Sequence, residues 1–243
     1  MPESVTSAQG VPVPAREALR MCLRRLAYPN RLYDLQEYFG RHYTVIYTIT
    51  NRVMFHIERN FGFLLDDLTV HNWLTLANLK EMSEALKYQA QMCPNGLICE
   101  MDGPYPGSRH DAGTLRDSHL YEKLEDLNGN HQFVLFGDPA YPLRPLLMKP
   151  YGGAKVTKEQ EDFNAAMCTV RQAVEWGFGK VISEFAFLDF KKNQKILLQA
   201  VPRMYRVTVL LTNRHACIYG NQVSSYLGVN PPCLFDHLKP IIH

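Results

Sequence analysis

Two acidic residues, Asp138 and Glu175, stand in short motifs whose settings suit metal chemistry. Asp138 belongs to Gly137-Asp138-Pro139-Ala140-Tyr141-Pro142, directly after the apolar run Phe133-Val134-Leu135-Phe136. Glu175 belongs to Arg171-Gln172-Ala173-Val174-Glu175-Trp176-Gly177-Phe178-Gly179, inside a stretch with strong helical periodicity. A third carboxylate, Asp111, closes Pro106-Gly107-Ser108-Arg109-His110-Asp111. Hard cations such as Mg²⁺ and Mn²⁺ take oxygen ligands, and two of them about 4 Å apart can activate water and stabilise the leaving oxygen of a phosphodiester. Such a site needs carboxylates that are distant in sequence to converge. A strand end and a facing helix can achieve this. Asp138 falls where the strand stops at Pro139. Glu175 follows Val174 and so falls at the edge of an apolar stripe. Asp111 follows a loop and can support the site or hold His110.

Each acid also has a plainer reading. Asp111 suits a helix N-cap. Asp138 suits a turn before Pro139. Glu175 can pair with Arg171 four residues earlier, a surface pair worth about 0.3–0.5 kcal/mol. Trp176 suits either the core or a base-stacking platform.

The elements that must position these groups are legible in part. Residues 15–27 read as a first helix with Leu19, Cys22, Leu23 and Leu26 on one stripe. Tyr28-Pro29-Asn30 breaks the chain. Arg31 to Phe39 reads as a second helix, stopped at Gly40. A third runs from about Thr44 to Arg59, with Val45, Ile49, Val53 and Ile57 at four-residue steps. Two helices joined by a short Gly-containing turn suggest a helix-turn-helix, against the alternative of an ordinary packed hairpin. Arg41, Asn51 and Arg52 would then face DNA phosphate, as would Lys191 and Lys192 later in the chain. Asp66 to Glu84 reads as helix or loop, with Trp73, Leu76 and Leu79 as packing positions. Pro94-Asn95-Gly96 signals a hairpin between Tyr88–Cys93 and Leu97–Met101. Asp111 to Leu127 and Ile196 to Leu211 read as helices, and Phe133 to Phe136 as a short strand. The clearest helix is Lys158 to Phe185, with Phe163, Met167, Val170, Val174, Phe178, Val181 and Phe185 in register. Strands interleaved with helices argue for an α/β layered fold.

Together these motifs resemble the DDE superfamily endonuclease domain of PIF/Harbinger-type transposases. The resemblance runs through Gly96-Leu97-Ile98, Gly103-Pro104, Gly107 to Asp111, Gly137 to Arg144, Arg171 to Trp176 and Leu188 to Asn193, and covers roughly residues 28–235. It implies an RNase H-like fold, a mixed sheet flanked by helices. It implies metal-dependent cutting and joining of DNA, with an Asp, Asp, Glu set holding Mg²⁺ or Mn²⁺, and a nuclear location. On this reading Asp138 and Glu175 are the surviving catalytic and metal-binding acids, with Asp111 a further metal ligand. DNA is the implied partner, with a separate DNA-binding protein or a second copy of the chain as further possibilities.

The chain departs from the family pattern at one place. The family carries a strand with Asp-Gly-Thr ahead of the Lys-Tyr-Gln strand. Here Leu76–Ser83 runs almost directly into Ala85-Leu86-Lys87-Tyr88-Gln89, and about 40 residues of the pattern have no counterpart at Glu84-Ala85. No Asp occurs between Asp67 and Asp102. The expected organisation is therefore a loose tail at 1–14, a helical, helix-turn-helix-like region at 15–84, and a DDE nuclease domain at 85–243 truncated at its first strand. The expected activity is that of a nuclease with an incomplete acid set. The competing readings are a non-catalytic DNA- or protein-binding module and a truncated product that folds poorly.

Composition agrees with a folded protein. The chain has 243 residues, 46% hydrophobic, and a net charge of +2 that by itself announces no nucleic-acid binder. Residues 16–60 hold eight Arg against four acidic residues, a local excess that suits a phosphate-facing surface. The six Cys form no Cys-x-x-Cys and no zinc spacing with His, so free thiols in a reducing compartment are expected. No secretory signal and no membrane-length apolar run is visible, and a soluble intracellular protein is expected.

Overall fold

A computed structural model of the chain describes residues 2–67, 70–74, 93–101, 122, 125, 135–136, 145–153, 155–188 and 200–239. These divide between two units, Met1–Phe63 with Gly179–Thr212, and Leu64–Phe178 with Asn213–His243. Helix predominates among the described residues, with two small two-stranded sheets.

The first unit opens on a hairpin where a loose tail was expected. Strands β1 (Ser4–Thr6) and β2 (Pro12–Pro14) pair antiparallel, Val5 opposite Val13. Ser7 makes the turn: its hydroxyl accepts from the N–H groups of Gln9 and Val11. Val13 is fully buried, so one apolar side chain anchors a segment whose composition looks disordered. Three helices follow: α1 (Ala15–Ala27), α2 (Leu32–Phe39) and α3 (Tyr43–Phe61). Local signals set their ends. Asp34 accepts from the Arg31 N–H at 2.9 Å at the start of α2, and Gly40, at φ 62°, ends it in the left-handed conformation. The buried face of α1 is Ala18, Met21, Cys22, Arg25 and Leu26, rotated from the expected stripe so that Leu19 and Leu23 are only half-buried. Met21 and Arg25 cause the rotation. Met fills apolar gaps, and the Arg25 guanidinium lies over the Phe187 ring at 5.0 Å. On α3 the inward residues are Val45, Ile46, Ile49, Thr50, Val53 and Met54.

A further pair of ion contacts joins α3 to the N-terminal half of α5 (Val201–Tyr219). Glu58 accepts from Arg203 at 2.5 Å and lies 3.7 Å from Arg206, which also donates to the Gly62 carbonyl at 2.8 Å. The helix expected at Ile196–Leu211 thus ends eight residues later, where Gly220, at φ 74°, stops it.

The second unit contains β3 (Leu135–Phe136) paired parallel with β4 (Leu147–Met148). It also holds α4 (Lys158–Glu184) up to Phe178 and the C-terminal half of α5. Helices α6 (Gln222–Leu227) and α7 (Leu234–Leu238) complete it. A capping box starts α4: Thr157 accepts from the Gln160 N–H at 3.3 Å, and Gln160 accepts from the Thr157 N–H at 3.0 Å. Trp73, Leu97, Cys99, Leu147, Ala216 and Val229 form the buried apolar cluster.

The predicted turn is present at 93–97. Gly96 N–H donates to Cys93 O at 2.7 Å and Cys93 N–H to Leu97 O at 3.0 Å. Two asparagines from the end of the chain clamp it. Asn213 accepts from Ile98 N–H at 3.0 Å and donates to Ile98 O at 2.7 Å. Asn221 donates to Asn95 O at 2.7 Å. The rest of the sheet expected between 85 and 143, and the helix expected at Asp111–Leu127 apart from Glu122 and Glu125, lie outside the described residues.

Two outcomes follow from this packing. Gly96 has φ 75°, and an added Cβ would lie 2.1 Å from Asn221 Oδ1. Gly96→Ala is expected to lose at least about 2 kcal/mol in chemical denaturation. A change under 0.5 kcal/mol would mean that Asn221 does not close over the turn.

The second outcome concerns His71 and His237, which stack at 5.7 Å between ring centroids, both buried. Burial, and then the neighbouring His71, push His237 down to about 4; burial also lowers His71, although backbone hydrogen bonds to Cys99 and Leu64, and then Asp67, oppose that. The unfolded chain therefore binds protons that the native one refuses, and stability falls as pH drops from about 6.5 towards 4. For His237 the loss amounts to about 3 kcal/mol. Urea melts across that range should show the slope, and His237→Asn should flatten it.

Candidate functional site

Of the three expected metal-binding acids, only Glu175 is among the described residues. Asp111, Asp138, Lys191 and Lys192 lie outside them. The strand expected ahead of Asp138 is present in its last two residues, Leu135–Phe136.

Glu175 lies on α4 within an outward stripe: Cys168, Arg171, Gln172, Glu175, Phe178 and Gly179 are all exposed. This differs from the expected position at the edge of an apolar stripe. The expectation placed Phe178 inward, whereas among the described side-chain positions of this helix Met167, Gly177 and Val181 are buried. Gly177 carries no side chain and so escapes a count of apolar residues, yet it is buried while Phe178 is exposed. The Glu175 side chain is 66% exposed and sits 3.4 Å from Arg171 Nε. That is the plainer reading of the motif, and such a surface pair holds the carboxylate only weakly. Trp176 packs edge-to-face on Tyr226 at 5.5 Å, half-buried, as a packing residue.

Among the described residues no three His, Cys, Asp or Glu side chains gather closely enough to hold a metal ion. In donor chemistry the expected set suits a hard divalent cation, since all three members are carboxylates. Glu175 is exposed and so accessible to one.

The arginines expected to face DNA have work inside the protein. Arg41 forms a two-pronged contact with Glu17 on α1, at 2.6 and 2.9 Å. This hydrogen-bonded pair lowers the Glu17 carboxyl and raises the Arg41 guanidinium from their ordinary values. Arg52 donates to the Thr6 carbonyl of the hairpin. Asn51 is half-buried beside it on α3. Two other cations missed by the reading of α2 and α3 are Arg16 and Arg20, exposed one turn apart on α1. Their four-residue spacing outside the Ala18, Met21, Cys22 face was the available signal.

The DDE superfamily endonuclease model matches residues 75–213, more than half of the chain, and the chain belongs to this family. It is also similar to "Protein ALP1-like" from Arabidopsis thaliana, 22% identical over 233 aligned positions. That alignment covers 77% of this chain and 57% of the relative, so the chain spans little more than half of that protein's length. No solved structure matches the chain. No described helix is long and apolar enough to cross a membrane.

The different settings of Glu175 and Arg41 separate their roles in stability. Glu175→Gln should change unfolding free energy by less than about 0.5 kcal/mol. Arg41→Ala should cost about 1 kcal/mol, because it breaks a two-pronged, partly sheltered pair. Equal effects in thermal or urea melts would contradict this division.

Proposed function

We propose that this chain is a Harbinger-type, transposase-derived DDE nuclease protein that keeps part of the metal-binding acid set and has impaired cleavage. Its partner is DNA, and its domain from about residue 85 is an RNase H-like mixed sheet truncated at the first strand. The family match over residues 75–213 carries this reading.

Asp138 and Glu175 are the acids assigned to the metal, with Asp111 as a further ligand. Divalent ions bound there would activate the attacking water and stabilise the leaving oxygen. The chain's own part is to supply negative oxygen donors from a strand end and from α4. Glu175, exposed and paired weakly with Arg171, can exchange that partner for a cation at little cost. The family site also has an Asp on the strand missing here. Loss of one carboxylate from three leaves a cation pair under-neutralised and removes a positioning contact. Each 1.4 kcal/mol of lost transition-state stabilisation is about tenfold in rate.

A binding role without cleavage is favoured by a separate observation. The N-terminal helices form a well-packed unit that carries the exposed Arg16 and Arg20. In that reading the nuclear protein contacts DNA phosphate through α1, and Arg41, Asn51 and Arg52 hold the helices in place.

The test is a Mn²⁺ titration of thermal stability alongside cleavage of supercoiled plasmid. Mn²⁺ should raise the Tm by binding the native state, and Asp138→Asn should remove the rise. Plasmid should remain uncut. Insertion of an Asp-Gly-Thr strand between Glu84 and Ala85 should restore nicking. Strong cleavage by the unmodified chain, lost in Glu175→Gln, would refute impaired catalysis. A Tm rise that survives Asp138→Asn would refute the metal assignment.

A further inference from the structure

Residues 93–99 turn back on themselves around Pro94-Asn95-Gly96. The turn brings Cys93 Sγ to 3.0 Å from Cys99 Sγ, about 1 Å longer than a covalent sulfur–sulfur bond. Both sulfurs are thiols, and the two differ in access: Cys99 is fully buried and Cys93 half-buried. Cys217 of α5 packs against the same cluster without being the contact partner. The geometry points to a redox modification site: Cys93 and Cys99 form a reversible disulfide when the protein meets a peroxide-class oxidant.

The order of events follows from access. Cys93 reacts first, since solvent reaches it. Its sulfur attacks one peroxide oxygen, a sulfur–oxygen bond forms, the oxygen–oxygen bond breaks, and the departing hydroxide leaves as water with the thiol proton. Cys99 then attacks the Cys93 sulfur. The sulfur–sulfur bond forms, the sulfur–oxygen bond breaks, and the second hydroxide takes the Cys99 proton. Two thiols and one peroxide give one disulfide and two waters, the thiol pair supplying both electrons.

Burial, reinforced by the neighbouring Cys93, holds the Cys99 thiol well above its ordinary value. It therefore stays protonated and shielded from oxidants in solution, and it attacks the Cys93 sulfur only as its proton passes to the hydroxide leaving that sulfur. The turn that brings the two sulfurs together is itself held in place, because Asn213 and Asn221 fix residues 95 and 98 on either side of Gly96. Closing the bond shortens the sulfur–sulfur separation of 3.0 Å by about 1 Å. The covalent link would secure the same fold-back that the asparagines hold by hydrogen bonds.

The experiment treats the full chain with hydrogen peroxide, blocks remaining thiols under denaturing conditions, and maps the tryptic peptides. Cys93 and Cys99 fall in one peptide, between Lys87 and Arg109. This peptide should lose the mass of two hydrogens, refuse alkylation at both positions, and recover both on treatment with dithiothreitol. Cys217→Ala should leave that result unchanged. Cys93→Ser should leave Cys99 fully alkylated after the same treatment. A disulfide that includes Cys217, or irreversible oxidation of Cys93 with Cys99 still a thiol, would overturn the assignment. Because the wild-type map decides between these results, the conclusion does not depend on how well the variants fold.

Discussion

Asn213 is the interaction on which the second unit depends. Its side-chain amide pairs with both the N–H and the C=O of Ile98, as a neighbouring strand would. Ile98 and Asn213 are both buried, so neither backbone group has water as an alternative partner. A buried amide left unpaired costs about 1–3 kcal/mol, and here two groups rely on one side chain. The contact spans 115 residues, and it fixes the turn that sets Leu97 and Cys99 into the apolar cluster. Asn221 extends the clamp, since it donates to Asn95 while its own oxygen caps α6 through Ser224 N–H. Gly96 is required beneath it for want of room as well as for its positive φ.

The sequence was most legible where a local signal ends an element. The bounds of α1 were read from the break at Tyr28-Pro29-Asn30. The stop of α2 was read from Gly40, and the start of α4 coincides with a capping box that lies within four residues. It was least legible where a distant partner decides. The hairpin at 4–14 depends on burial of Val13 and on Arg52, and no local pattern in a Pro-, Ser- and Gly-containing segment announces that. The end of α5 was misread because the apolar periodicity weakens at Asn213, His215 and Cys217. Asn213 stays helical because its side chain is satisfied by the turn.

The same division explains the arginines. Eight in a short region suggest a phosphate surface, yet charge counting cannot tell a cation facing solvent from one facing Glu17, Thr6 or an aromatic ring. Arg24 lies over the rings of Tyr28 and Tyr38 at 4.1 and 5.0 Å, and Arg25 is buried against Phe187. At least four of the eight thus help to join helices and hairpin within the first unit. The positive field available to an outside ligand is correspondingly smaller than the composition suggests.

Glu175 presents the opposite case. An exposed acid in a weak i,i+4 pair could be replaced with almost no effect on folding. Its neighbours could not: Gly177 and Met167 are buried, and Trp176 leans on Tyr226. Packing therefore accounts for much of the motif around Glu175 without accounting for the acid itself. The family match extends across this helix, and the acid is the member of the motif whose presence folding does not require. The proposed metal site and the proposed impairment of cleavage are compatible on these terms. The fold holds Trp176, Gly177 and the capping box for its own stability, while only chemistry on a ligand would discriminate Glu175 from Gln.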